Sequence, residues 1–561
     1  MLIIAGLTSC ALRTAPPTAV DISIAAFNDF HGHLSPPASP TLIESRGGNS
    51  PLPTGGIAYL STLLKSLRAT QSNHVFVAAG DLIGGSPLNS ALFYDEPTIE
   101  MLSQIGLEFS SVGNHEFDRG REELLRMQDG GCAAPSPRRE SCQGERFSGA
   151  RFSYLAANVI DEKTGRTILP PYGVKRFNSE HGTVSVAFIG LVLKETPTLV
   201  IPSGVAGLRF VDEADSANAL IPELRAQGIE AVVVLIHQGG SRSATNFDEE
   251  TCADFSGPIL DIVERLDPEI DLIISGHTHR TYICPHAGRL VTSAGAEGRF
   301  LTAIDMRLDA STGEVITTSA RQHAVVNDRA PNLLANKYPA LRADPQLQAP
   351  LARNGERVRS IAERRVARLT ADILRNSFVA EDSPLGKLVA DAQLAATQSK
   401  ERGGAQIAFM NRGGLRADLL ADDGVVAFSD LFAIHPFGNA LVTMSLTGAQ
   451  IRQALEEQAT QPNAILFVSK GFSYSWDPFA ATGARVVEGS MRLDGERIDA
   501  SASYRVTVNE FLAGGGDGIA VLKHGTERVR GMLDVEALEE YLANQSRVQA
   551  PTDIRVDTSM Q

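Results

Sequence analysis

Five short apolar runs in the first half of the chain each stop at a residue able to bind a metal ion or move a proton. This repetition constrains the fold more than any other feature. Ile22-Ser23-Ile24-Ala25-Ala26-Phe27 stops at Asn28-Asp29-Phe30-His31-Gly32, and Val75-Phe76-Val77-Ala78-Ala79 stops at Gly80-Asp81. Ser110-Ser111-Val112 leads to Gly113-Asn114-His115-Glu116-Phe117-Asp118, Ala231-Val232-Val233-Val234-Leu235-Ile236 to His237, and Leu272-Ile273-Ile274-Ser275 to Gly276-His277-Thr278-His279. Nearly continuous Val/Ile/Ala runs mark strands buried on both faces. In layered α/β folds, ligands bind beyond such strand ends.

Helical stretches at residues 57–67 and 97–104 separate the runs, so residues 20–330 are expected to form a layered α/β or αββα unit. A further apolar run, residues 184–192, belongs to the same core without offering ligands. Residues 331–369 turn to Ala, Arg, Glu and Leu with no strand signal and read as a connecting helix and hinge, interrupted at Gly355. A second, α+β unit is expected over residues 370–555. Its first helix opens at Ser383-Pro384, serine as cap and proline in the first turn, and runs to about Thr397. Strand-like runs follow at residues 405–410, 441–445 and 504–508.

Charge removes one class of partner. Lys plus Arg number 51 and Asp plus Glu 66, a net charge of −15, which does not suit a polymer of nucleic acid. A small anionic substrate is compatible with it where cations concentrate locally. No apolar run is long enough to span a bilayer. Residues 1–19 read as a signal or lipoprotein segment: the apolar start and Leu7-Thr8-Ser9-Cys10 resemble a bacterial lipobox, which implies a lipid anchor at Cys10 and a periplasmic or envelope location. The other four cysteines allow three pairings, of which Cys132–Cys142 and Cys252–Cys284 join neighbours in sequence and fit an oxidising compartment.

Asp29, His31, Asp81, Asn114, His237, His277 and His279 make an O/N donor set suited to zinc, manganese or iron, too large for one ion and about right for two that share a carboxylate. The motifs that carry them resemble the successive motifs of the calcineurin-like metallophosphoesterases. With Phe117-Asp118 and the C-terminal motifs below, the chain is similar to the 5'-nucleotidase family over about residues 20–550. The resemblance implies one ion on Asp29, His31, Asp81 and His279, and another on Asp81, Asn114, His237 and His277, with Asp81 bridging. It makes His115 the catalytic histidine and Asp118 the carboxylate that orients it. His33 reads as structural, because alternation points it away from His31.

In the second unit, Asn411-Arg412-Gly413-Gly414-Leu415-Arg416, Pro436-Phe437-Gly438-Asn439, Gly471-Phe472 and Asn509-Glu510-Phe511, followed by Gly514-Gly515-Gly516-Asp517-Gly518, hold the parts needed to stack a base, bind ribose and fix a phosphate. On residue types alone, Phe437 and Phe511 read more readily as core residues and the glycine run as a loop, since core aromatics are common. The resemblance assigns Phe437 and Phe511 to the base, Asp517 to ribose and Arg416 to substrate, with Asn411, Asn439 and Gly471 in support. Arg375 matches an upstream substrate arginine, while Val379 stands where some members carry a second.

The function implied is a dimetal 5'-nucleotidase, monomer or homodimer, that hydrolyses nucleoside monophosphates. UDP-sugars, dinucleotides and 2',3'-cyclic nucleotides are the alternatives within the resemblance. Phe437, Phe511 and Asp517 argue against a sulfur-carrier thioester, and the complete ligand set argues against a surface protein without activity.

Overall fold

The computed structural model describes residues 18–558 apart from 46–47, 136–138, 143–144, 244–245, 250, 376–382, 421–423 and 461–464. Cys10 and Val379 lie outside the described residues.

All five apolar runs lie in strands or at their ends, in two six-stranded sheets. The first has the order Val315–Ala324, Phe300–Asp309, Ala19–Phe27, His74–Ala79, Phe109–Ser111, Ser153–Leu155. The second runs Thr281–His286, Arg289–Ala294, Leu272–Ser275, Ala231–His237, Gly182–Val192, Tyr172–Ser179. The strands that carry the motifs are parallel to their motif-bearing neighbours, Ala19–Phe27 to His74–Ala79 to Phe109–Ser111 and Ala231–His237 to Leu272–Ser275. Their carboxyl ends therefore share an edge. Ile24, Val75, Val77, Val186, Phe188, Val233, Leu235 and Ile274 fill the space between the sheets. Separate cores cover the outer faces, one packing Ile57, Leu60 and Leu64 of the helix Ile57–Arg68, the other Ile259, Ile262 and Val263 of the helix Pro258–Arg265. This is the four-layer αββα arrangement, and burial on both faces is why the strands are almost wholly apolar.

Both favoured cysteine pairings are present, with Cα separations of 5.4 Å for Cys132–Cys142 and 5.7 Å for Cys252–Cys284.

The connecting segment departs from expectation three times, first in that residues 331–344 are turns and irregular chain rather than helix. The helix Pro345–Ala362 passes through Gly355 without a break, since one glycine costs only about 1 kcal/mol and strong helix formers flank it. Arg365–Arg368 then forms a strand, paired antiparallel to Val425–Ala427, that composition did not signal. The helix is docked on the first unit: its cap Asp344 accepts hydrogen bonds from Ser61 Oγ at 2.5 Å and Lys65 Nζ at 2.7 Å. Only Glu363 and Arg364 separate it from the strand that opens the second unit.

That unit is built on a five-stranded mixed sheet, order Leu466–Val468, Ile407–Asn411, Ser503–Asn509, Ala440–Thr447, Thr526–Leu533. The helix Pro384–Thr397 covers it, capped by Ser383, whose Oγ accepts from Gly386 N at 3.0 Å. Asn411 and Asn509 stand at neighbouring strand ends, which opens the sheet toward the first unit.

Candidate active site

The seven predicted ligands converge at the shared strand edge. His237 Nε2 is 3.0 Å and His31 Nε2 3.7 Å from Asp81 Oδ2, and His279 Nε2 is 3.2 Å from Asp29 Oδ1. Asp29, His31 and His279 can hold one ion among them, and Asp81, His237 and His277 another. Asp81 lies between the two groups.

Backbone conformation explains how one short turn after each strand aims its side chain inward. Asp29, His31, Asp81, His277 and His279, five of the seven, have positive φ between 48° and 72°, a strained state for residues with side chains. Close approach does the rest: a Cβ at Gly113 would stand 2.2 Å from Asp81 Oδ1, so only glycine lets the third motif pack against the second.

The rings are fixed so that one nitrogen points into the site. His31 Nδ1 is 2.8 Å from Gly84 O and His237 Nδ1 is 2.7 Å from Ala79 O, which assigns the proton to Nδ1 and frees Nε2. Asn114 Oδ1 is buried with no hydrogen-bond partner among the described residues, and buried His237 Nε2 faces only the Asp81 carboxylate. An orphaned amide oxygen and imidazole nitrogens directed at buried carboxylates are the donor set a divalent ion needs, so the residues present fit the metals the sequence implied. Electrostatics agree. Burial holds the His31 ring well below the ordinary histidine range, as a neutral ligand requires. Burial also opposes charge on His237, yet Asp81 and Asp29 raise it to about 10, because two buried carboxylates demand a cation.

Asp81 is oriented by its other oxygen, Oδ1, which accepts from His115 N at 2.9 Å. His115 Nδ1 lies 2.9 Å from Asp118 Oδ2. Burial disfavours the imidazolium, but Asp118 and Asp81 outweigh it and raise the His115 pKa.

Two supporting residues escaped the sequence reading although they stand inside quoted motifs. Asn28 donates to Asp29 Oδ2 at 2.6 Å and to Gly295 O at 2.7 Å, tying the first ligand to the far sheet. Glu116 accepts backbone N–H groups of Asp81 at 3.0 Å and Leu82 at 2.9 Å, and burial pushes its carboxyl up to about 7. Residue type and spacing do not separate either from an ordinary loop residue.

The second unit faces the same site across a cleft of about 1520 Å³, lined by His115 and Asp118 on one side and Arg416, Phe437, Phe511 and Asp517 on the other. Phe437 stacks on His115, ring centroids 5.4 Å apart at 12°, and Arg416 lies over the opposite region of Phe437 at 5.7 Å. Asn411 Nδ2 donates to Asp517 Oδ2 at 2.7 Å, and Asn509 Nδ2 donates to Asn411 Oδ1 at 2.9 Å. Burial raises the Asp517 carboxyl to about 7, against the Asn411 hydrogen bond. Asn509, quoted in its motif without a role, is the base of this relay. Arg375 reaches the cleft wall while donating to Asp418 Oδ1 at 3.2 Å and Leu415 O at 3.0 Å, and Asn439 lines the same wall. Gly471 is not brought to the cleft. It makes a turn whose carbonyl accepts from Asp494 N at 2.8 Å, at the far end of the strand Leu466–Val468.

Two sheets with metal-binding motifs at their common edge define a phosphoesterase. Residues 22–281 match the family model of the calcineurin-like phosphoesterases, and residues 363–524 match the 5'-nucleotidase C-terminal domain. The chain is 26% identical to a 5'-nucleotidase precursor from Thermus thermophilus, whose crystal structure superposes with a TM-score of 0.76 over 97% of this chain and 100% of that one. It is 25% identical to a 5'-nucleotidase of Vibrio cholerae, covering 97% of this chain and 95% of the relative. It is 31% identical to Endonuclease YhcR of Bacillus subtilis over 94% of this chain, but spans only 40% of that protein's length. The chain pairs a calcineurin-like phosphoesterase domain with a 5'-nucleotidase C-terminal domain, which makes it a phosphoester hydrolase.

Proposed function

We propose that this protein is a dimetal 5'-nucleotidase that cleaves nucleoside 5'-phosphates to nucleoside and phosphate. One observation carries the reading: the carboxylate of Asp81, set between two ligand groups, opens into the same cleft as Phe437, Phe511 and Asp517. A phosphate site alone would fit any ester. A phosphate site facing two phenylalanines and a buried carboxylate fits a nucleotide.

Asp29, His31, Asp81 and His279 would hold one ion and Asp81, Asn114, His237 and His277 the other. Two divalent ions bound there would supply Lewis-acid stabilisation of the phosphoryl oxygens and acidify an attacking water. Asn114 binds without adding negative charge toward an anionic substrate. His115, its Nδ1 held by Asp118, keeps Nε2 free to face the substrate and, protonated, stabilises the departing oxygen. Arg416 adds a fixed positive charge from the opposite wall. Phe437 and Phe511 take the base, Asp517 with Asn411 the ribose hydroxyls, and Arg375 and Asn439 complete the wall. Gly471 has no part in this reading.

The two disulfides support a location outside the reducing cytoplasm, in the cell envelope or beyond it.

The test is phosphate release by protein stripped of metal and reconstituted with manganese, zinc or cobalt, against AMP, UDP-glucose, a 2',3'-cyclic nucleotide and phenyl phosphate. Metal-dependent release from AMP far above phenyl phosphate is expected. Equal turnover of all four would remove the nucleoside assignment, and no turnover with any metal would remove the hydrolase.

A further inference from the structure

One wall of the cleft carries arginines to which the nucleoside monophosphate reading gives no role. Next to Asp118 in sequence, Arg119 enters a cluster around Tyr94: the guanidinium carbons of Arg119, Arg126 and Arg139 lie 5.5, 5.7 and 5.8 Å from that one ring. Their partners differ. Arg126 is fully engaged by Glu96 at 2.7 Å and Glu123 at 2.8 Å, and Arg119 is paired with buried Asp95 at 2.9 Å. Arg139 donates to Ala91 O at 3.3 Å and has no carboxylate in ion-pair contact among the described residues. Its guanidinium pKa falls to about 9, through burial first and then the neighbouring charge of Arg119. A half-buried guanidinium beside a second one is costly unless an anion completes the group.

The chain is built to hold this arrangement. Tyr94 and Asp95 both have left-handed backbone, φ 56° and 64°, two consecutive strained residues that turn the ring toward the cleft and the carboxylate toward Arg119. Arg139 belongs to the loop closed by the Cys132–Cys142 disulfide. Buried Glu96 pins the end of that loop, accepting from Ser141 Oγ at 2.5 Å and Cys142 N at 2.7 Å. Tyr94, Arg119 and Arg139 line the same cleft as His115 and Asp118. At about 1520 Å³ that cleft exceeds the roughly 300–1,000 Å³ of a site for one small ligand.

We propose that Arg119 and Arg139, stacked on Tyr94, form a second anion subsite that binds a further phosphate of the substrate, beyond the phosphoryl group that is hydrolysed. The inference rests on the nucleotidase reading and extends it to substrates with two phosphates, either a nucleoside diphosphate or a nucleoside bisphosphate. The planar guanidinium forks suit phosphate oxygens in pairs, and Tyr94 fixes their plane.

The test compares kcat and KM of the metal-reconstituted wild type, R139A and R139K on AMP, ADP and adenosine 3',5'-bisphosphate. R139A is expected to raise KM for one doubly phosphorylated substrate by about 10- to 100-fold, the worth of one charged hydrogen-bonding partner, and to leave AMP within about twofold. R139K is expected to recover part of the loss. The substrate that responds tells whether the second phosphate continues the chain or sits on the ribose. Equal effects on all three substrates, or none on any, would overturn the subsite. Calorimetric binding of ADP and of adenosine 3',5'-bisphosphate to metal-free wild type and R139A gives an independent reading, taken on whichever of the two responds in the kinetics or on both where neither is hydrolysed, with thermal melting as the control for folding. Weaker binding by a folded R139A supports the subsite even where no nucleotide is hydrolysed, an outcome that would sink the proposed activity alone, and unchanged binding overturns it.

Discussion

The ring of Phe437, carried by the second unit, stacks on the ring of His115, carried by the first, at a centroid distance of 5.4 Å and an angle of 12°. The contact joins the proposed base platform to the proposed acid, so the two units meet at the point where nucleoside and phosphate must join. A nucleotide has to displace this stack or slide beside it. Phe437→Ala removes the platform without touching a metal ligand. KM for AMP is expected to rise about tenfold, the worth of one base stack, while turnover of phenyl phosphate holds or increases. Steady-state kinetics on both esters check this, and an equal loss on both would assign Phe437 to the chemistry instead.

Asp118 acts on the reaction only through His115. Its Oδ2 lies 2.9 Å from Nδ1 and fixes both the tautomer and the charge of the ring. Asp118→Asn keeps the volume and loses the charge, so kcat for AMP should fall by about 10²-fold or more with KM little changed. The loss should be smaller for an ester with a good leaving group such as p-nitrophenyl phosphate, which needs less help at the departing oxygen. Equal losses on both esters would count against a role at the leaving group.

Asn28 tests the metal site from behind. Its side chain holds Asp29 Oδ2 at 2.6 Å, while its Oδ1 accepts from Ala294 N at 2.7 Å. Asn28→Ala leaves every ligand in place but frees the first to rotate. Such supporting partners are worth about 10- to 100-fold in metal affinity. Titration of stripped protein with manganese should show a weakened site by that factor, and activity at saturating metal should largely return. Unchanged metal affinity would make the Asn28 network purely structural.

The first unit was readable because its chemistry and its packing share one pattern. An apolar strand that stops at Asp81 or His237 announces both a buried sheet and a site at its edge. The supports were not readable, since Asn28 and Glu116 differ from ordinary loop residues only in what lies across from them in space, Gly295 and the backbone of Asp81. Gly471 shows the opposite limit. A glycine in a matching motif serves a turn wherever it stands, and only the fold tells whether that turn reaches the cleft. The strand Arg365–Arg368 was hidden because its pairing with Val425–Ala427 is distant and its charged residues mask the alternation.

His435 offers a test of stability that is independent of the metals. It is buried, neither ring nitrogen has a hydrogen-bond partner among the described residues, and burial drives its pKa down to about 3. The nearest acid, Asp534 at 3.7 Å, is itself pushed up to about 8 by burial and stays protonated, so it does not compensate. The folded state therefore holds His435 neutral, whereas the unfolded chain takes up a proton near pH 6.5. Stability from this residue is complete above that pH and falls as the pH drops toward 3, by about 1.4 kcal/mol per unit. Asp534 titrates in the opposite sense over the same range, so the readout is the difference between the two proteins: His435→Phe, similar in size and without a proton to gain, should become more stable relative to wild type as the pH drops. Urea denaturation between pH 7 and 5 on both proteins measures the difference, and parallel slopes would show that His435 is not the residue that titrates.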